Sequence, residues 1–401
     1  MIPVEEALDR VLAGLAPTPA ETVGLSEAWG RVLAQPVLAR LTQPPMDVSA
    51  MDGYALRAED AATGARLRVI GASPAGHPFP GTVGPGEAVR IFTGGAVPPG
   101  ADTILLQEDA TAEGTHVLPT ETPRAGRHIR RAGLDFAAGD TVLFPGRRLT
   151  ARDTGLAAAA NHPWLAVHRR PRIGILATGD EISLPGDPIP PGGIVSSNAH
   201  ALAGLVKAAG GDPLVLPIAA DDRDAIAAAA EAGRRCDMLV TTGGASVGEH
   251  DLVQAALGPQ GFSLDFWKIA MRPGKPLIFG NLRGTPLLGL PGNPVSALVC
   301  AVLFLIPAIR RLSGLPSGPV ETRPALLGRD MPANDRRQDY VRGELTRDSA
   351  GQPVATPFPA QDSSMLRLLA QAGCLIIRPP HAPAAPAGSI VQVVELSSLG
   401  V

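Results

Sequence analysis

The stretch MLVTTGGASVGEHD, residues 238–251, decides how the middle of this chain is read. Met238 to Thr242 is an apolar and β-branched run of strand length, read as a buried strand. It runs into a loop, Gly243 to Gly248, whose two end glycines have the spacing of a phosphate-binding P-loop. A P-loop would continue with Lys and then Ser or Thr, so that a cation reaches the phosphates. This chain continues with Glu249, His250 and Asp251. The loop is shaped for phosphate but carries the opposite charge.

Working outward, strands and helices alternate. RIGILAT (172–178) reads as a strand and SSNAHALAGLVKAAGG (196–211) as a helix with a polar start and a glycine stop. PLVLPIA (213–219) is a strand and DDRDAIAAAAEAG (221–233) a helix. PLIFG (276–280) and PLLGLPG (286–292) are further strands, followed by a long helix from Pro294. This alternation predicts a mostly parallel sheet covered on both faces. Ligands in such sheets bind at the carboxyl ends of the strands. Those ends carry Thr178-Gly179-Asp180-Glu181, Thr242-Gly243-Gly244 and Pro291-Gly292-Asn293-Pro294. Singly, each is an ordinary strand-to-helix turn. Three on one rim point to a ligand, because glycines let backbone N–H groups approach an anion and a helix N-terminus adds partial positive charge. Pro294 fits the first helical position, where no N–H is needed.

The rim carries acids: Glu181, Asp221, Asp222, Glu249 and Asp251. Asp221 and Asp251 also suit helix N-caps. Acids beside a phosphate-type loop repel its ligand unless a cation lies between, and Mg²⁺ reconciles the two. Only three of the 35 basic residues are Lys: Lys207, Lys268 and Lys275. Two of them flank Arg272 in FWKIAMRPGKP (266–276), which reads as three cations near the same rim.

Outside this middle part, PVEEALDRVLAGL (3–15) reads as an amphipathic helix, and TARDTGLAAAAN (150–161) as a helix opened by Thr150 and closed by Asn161. Short apolar runs between Gly and Pro from about residue 40 predict a small β module, and similar runs after about 318 a second one. A net charge of −3 argues against a nucleic-acid surface. The three cysteines are far apart and lack metal or redox spacing, so they read as buried thiols of a reducing compartment. No His-x-His or His-Glu-x-x-His spacing exists, which argues against zinc. The acidic N-terminus is no signal peptide, and the apolar run Val295 to Ile309 reads as a core helix. A soluble, cytoplasmic protein is expected.

TTGGASVGEHD (241–251), MRPGKP (271–276) and GLPGNPVSA (289–297), together with SAMDGYALR (49–57), RIFTGGAVPPGADTILLQED (90–109) and ILATGDEI (175–182), resemble the molybdopterin molybdenumtransferase family, MoeA in bacteria and the E domain of gephyrin in eukaryotes. The resemblance spans nearly the whole chain, with the motifs in order. It implies a multidomain α/β fold: a linking and dimerisation region (1–39 and 137–168), a small β domain (40–136), an α/β molybdopterin-binding domain (169–317) and a C-terminal β-barrel-like domain (318–401). It also implies an elongated homodimer in which molybdate reacts with adenylylated molybdopterin, with Mg²⁺, releasing AMP.

The resemblance assigns Asp221 and Asp251 to Mg²⁺ and the phosphates, with Glu181 lining the same cleft. Gly243, Gly244, Ser246 and Asn293 fall in its substrate loops. Lys268, Arg272, Lys275 and Ser296 face phosphate or molybdate, with Arg342 and Ser363 added by the C-terminal module. Asp52, Thr93 and Asp135 come from the β module, across the dimer interface. Three positions depart from the family pattern. Leu134 stands where an acid is common, Arg272 where Lys is common, and Ser196 where Asp is common. The competing readings are a molybdopterin adenylyltransferase and a non-catalytic scaffold of the gephyrin type.

Overall fold

Met238–Thr242 is a strand with all five residues buried. It lies between Arg172–Ala177 and Thr285–Leu290 and runs parallel to both. Such a position, covered on both faces, accounts for a run that is apolar without alternation. The computed structural model describes residues 1–243 and 255–400. In it, six strands form the central sheet in the order Asp212–Val215, Arg172–Ala177, Met238–Thr242, Thr285–Leu290, Ile278–Leu282 and Phe262–Trp267. The first four run parallel, Ile278–Leu282 is antiparallel to both its neighbours, and Phe262–Trp267 at the edge therefore runs in the same sense as the first four.

Successive residues point to opposite faces of this sheet. Ile173, Ile175, Met238, Val240, Leu288 and Leu290 join the larger core. Leu176, Leu239 and Leu287 join the smaller one. The larger face takes the helix Asn198–Ala209 and the first helix, Val4–Ala13. It also takes the 19-residue helical run Pro294–Leu312, which is apolar and long enough to cross a membrane but is 89% buried within the protein. Each fully buried Leu, Ile, Val or Phe contributes roughly 1.5–3 kcal/mol, so the core accounts for this helix's apolarity. A wide π turn, Ala301–Leu305, interrupts it just before Pro307. Proline has no N–H to donate, and its ring would crowd the carbonyl four residues back. The smaller face takes Arg223–Ala232 through Ile226 and Ala230.

The edge of the sheet departs from strand–helix alternation. Ile278–Leu282 and Thr285–Leu290 form a hairpin joined by Arg283 and Gly284, both with positive φ. Two left-handed residues are what a two-residue hairpin turn requires. Asn281 Oδ1 accepts from Gly284 N at 2.5 Å.

The C-terminal module is a closed barrel. Gln338–Arg347, Pro353–Pro357, Arg323–Leu327, Ile390–Glu395 and Cys374–Arg378 pair in that order, and the last pairs back with the first. Its interior holds Leu327, Ala355, Ile376 and Val393. Met271–Arg272 adds in parallel to Gln338 and Asp339, which fixes the barrel against the central sheet. The N-terminal module is a six-stranded sheet that includes Gly53–Leu56, Glu87–Ile91 and Thr103–Leu106. A separate small unit pairs Ala20–Gly24 with Trp164–His168 and packs the helix Ala151–Ala159 against them through Ala157, Leu165 and Val167. That helix opens on a capping box of Thr150 and Asp153. The three cysteines are free and buried.

Candidate functional site

The parallel strands end at Ala177, Thr242 and Leu290, and a cavity of about 590 Å³ opens there. Glu181, Gly243, Asn293 and Ser296 line it, so four of the residues singled out in the sequence meet. Gly243 has φ +92°, and a Cβ there would lie 2.2 Å from the Thr178 carbonyl oxygen. Only glycine lets the second loop pass the first so closely. Ser296 is buried in the first turn of the core helix, where free N–H groups and the dipole favour an anion.

Asn198, which sequence reasoning missed, ties the rim together. Its Nδ2 donates to Thr242 Oγ1 at 2.8 Å and to the Gly292 carbonyl at 2.7 Å. Its Oδ1 and Thr178 Oγ1 are buried without a hydrogen-bond partner among the described residues. The available signal was the polar start of its helix.

The barrel closes one side of the cavity. Ser364 and Leu366 line it. Asn293 Nδ2 donates to Ser363 Oγ at 2.9 Å, and Val295 N donates to the Ser363 carbonyl at 3.1 Å. Behind this loop, Arg342 is 1% exposed. Its main chain is fastened to Gln361, whose Oε1 accepts from Arg342 N while its Nε2 donates to Arg342 O. Its guanidinium, in contrast, makes one long bond, from Nη1 to the Met365 carbonyl at 3.5 Å, and Nε has no partner among the described residues. Burial pushes its pKa below the usual Arg value, opposed by the charge of Asp362. A buried guanidinium with spare donors is costly unless an anion completes it.

None of the predicted cations, Arg342 included, is among the residues lining the cavity, and Ser363 reaches it only through its neighbour Ser364. Arg272 forms an ion pair with Asp339 and lies 3.6 Å from Asp335, and the Asp339 hydrogen bond raises its pKa. Lys268 Nζ sits 3.4 Å from the centre of the Trp267 ring. Lys275 is exposed, next to the lining residue Pro276. Of the acids, Asp222 rather than Asp221 caps its helix, accepting from Asp224 N and Ala225 N. Asp221 N donates to Asp180 Oδ1 at 3.0 Å, which brings two acidic loops together. Gly244, Ser246, Glu249 and Asp251 lie outside the described residues. Among the described residues no group of three or more His, Cys, Asp or Glu forms a ready metal cage. The departure at Ser196 falls on the cavity lining.

Asp52 and Thr93 meet in the N-terminal module. Thr93 N and Oγ1 both donate to Asp52 Oδ1, at 2.7 and 2.9 Å. These bonds, the backbone one first, hold the carboxyl below its ordinary pKa. Asp135 and Leu134 line a separate cavity of about 590 Å³ beside Gly94.

Comparison with known proteins agrees with this architecture from end to end. Residues 2–161 match the MoeA N-terminal region (domain I and II), 174–311 a probable molybdopterin binding domain, and 324–396 the MoeA C-terminal region (domain IV). A Nostoc sp. protein named molybdopterin molybdenumtransferase is 36% identical, over 94% of this chain and 88% of its own length. The chain belongs to the MoeA family. A relative of the same name from Haemophilus influenzae is 33% identical over the full length of both chains. A solved MoeA protein from Pyrococcus horikosii superposes with a TM-score of 0.87 at 29% identity, covering 98% of this chain and 99% of that one. The MoeA likeness includes the N- and C-terminal modules, beyond the molybdopterin-binding domain alone.

Proposed function

We propose that this chain is a molybdopterin molybdenumtransferase that takes molybdate and adenylylated molybdopterin, breaks the bond to the adenylyl phosphate, releases AMP and leaves molybdenum on the pterin dithiolene. The names of its relatives support the transferase activity. The rim cavity supports the substrates, and the observation that carries most weight is Arg342, buried behind the Ser363 loop with donors to spare.

In this reading molybdate sits between Arg342, Ser363, Ser296 and Asn293. Arg342 supplies charge and Ser296 the first turn of a helix. Gly243, Gly244 and Ser246 cradle phosphate through backbone N–H groups. Lys268, Arg272 and Lys275 bias the surrounding field toward anions, and Glu181 orients the pterin side. Oxygen donors alone suit Mg²⁺, which needs only one or two carboxylates beside substrate phosphates. The joined loops of Asp180 and Asp221 fit that requirement. Asp221 and Asp251 would hold the ion, whose chemistry is to neutralise phosphate charge. Asp52, Thr93 and Asp135 act from a second subunit of a cytoplasmic homodimer. Its four domains divide at 1–39 with 137–168, 40–136, 169–317 and 318–401.

Titrating molybdate against parent and Arg342→Ala protein tests the oxyanion pocket. Loss of one charge-assisted contact costs roughly 1.5–3 kcal/mol, about ten- to a hundredfold in affinity. Equal affinities at an unchanged unfolding midpoint would remove Arg342 from the site.

A further inference from the structure

Away from the rim, a cavity of about 400 Å³ lies between the linking region and the far end of the helix Asn198–Ala209. Arg148, Arg170 and Lys207 line it, with Thr150 and the indole of Trp29, which is 68% exposed. No carboxylate lines it, and among the described residues none of these three cations forms an ion pair. Arg148 also lines an adjoining cavity of about 310 Å³ with Arg310, where Glu321 is the one acid among the lining residues.

One part of the cluster has a structural explanation. Arg148 Nη2 donates to the Ala209 carbonyl at 2.8 Å, and Lys207 lies in the last turn of the same helix, so both complement its negative end. That does not account for Arg170, nor for Arg310 crowding Arg148. Burial first, then the charges of Arg310 and Arg170, lower the Arg148 pKa. Arg148, Arg170 and Lys207 gather like charge in a cavity whose own lining holds no acid, an arrangement that a bound anion stabilises. The exposed indole beside them adds a face on which an aromatic ring can stack.

We propose that this cavity binds a nucleoside phosphate, with Arg148, Arg170 and Lys207 on the phosphates and Trp29 under the base. It is a second ligand site, set apart from the strand-end cavity.

The full chain is titrated with ADP while the Trp29 contribution to fluorescence is followed, taken as the difference between parent and Trp29→Phe protein. Saturable quenching is expected. Arg170→Ala with Lys207→Ala is expected to weaken it about a hundredfold, since two charge-assisted contacts are lost. Asp221→Asn, at the rim, should leave it unchanged. Inorganic pyrophosphate should bind at least tenfold more weakly than ADP, because it has no ring. If the double variant does not fold, Lys207→Ala alone, on an exposed side chain, is expected to lose about tenfold. The proposal is overturned if ADP leaves the Trp29 signal unmoved, if the folded variants titrate like the parent, if the rim variant abolishes the signal, or if pyrophosphate binds as well as ADP.

Discussion

Asn293 Nδ2 donates to Ser363 Oγ at 2.9 Å, and this bond joins the last loop of the central sheet to the C-terminal barrel. Seventy positions separate the two residues. A pair this close should be energetically coupled. In a double-mutant cycle on thermal unfolding, Asn293→Ala and Ser363→Ala are expected to couple by roughly 0.5–1 kcal/mol, the low end for a hydrogen bond because Asn293 is exposed. Strict additivity would show that the loops are held by other contacts.

Gly243→Ala puts a methyl group 2.2 Å from the Thr178 carbonyl oxygen, on a residue with φ +92°. Strain of roughly 1–3 kcal/mol is expected, with the second loop displaced from the first. Chemical denaturation should show the loss. An unchanged midpoint would mean that the two loops separate freely.

Asp222 caps its helix, whereas the adjacent Asp221 is proposed to hold Mg²⁺. Asp222→Ala removes an N-cap and should cost about 1 kcal/mol of stability, leaving substrate binding intact. Asp221→Asn should spare stability and weaken the dependence of turnover on Mg²⁺. A reversal of the two phenotypes would place the cap and the metal site the other way round.

Asp52 gives a pH prediction. Its carboxyl is held below the ordinary Asp value by Thr93 N and then by the Thr93 hydroxyl. A depressed folded pKa adds stability that is fully present above the unfolded value and lost as pH falls through the folded value. Thr93→Val keeps the backbone donor and removes the hydroxyl, so the Asp52 titration should move up part of the way. NMR titration of the carboxyl carbon measures it, and a midpoint unchanged from the parent would contradict the assignment.

How much of this was legible in the sequence depends on how local each signal is. Met238–Thr242, the helix Asn198–Ala209 with its left-handed Gly210 stop, and the start of a helix at Thr150 are local, and each was readable. The sheet edge was not. Strands alternating with helices suggested crossovers, whereas the only mark of the hairpin was the two-residue Arg283-Gly284 turn. Phe262–Trp267 escaped notice because a sheet edge need not be uniformly apolar, and only Phe266 in it is buried. Arg272 looked like a cation for the cavity. Its partner Asp339 lies 67 positions on, in a strand that the local pattern could not place beside it. That Asn198 ties the rim was not legible, because its two acceptors, one at a strand end and one in a loop, lie 44 and 94 positions away. The reaction, its substrates and the second subunit came from the family likeness, whereas Mg²⁺ was already suggested by acids beside a phosphate-type loop.

The central claim is tested most directly by AMP formation. Purified full-length protein is incubated with adenylylated molybdopterin and Mg²⁺, with and without molybdate, and AMP is quantified. Molybdate-dependent AMP release, one per pterin, is the predicted result, falling about ten- to a hundredfold at subsaturating molybdate in Arg342→Ala. Absence of AMP from folded parent protein at saturating molybdate would contradict the account.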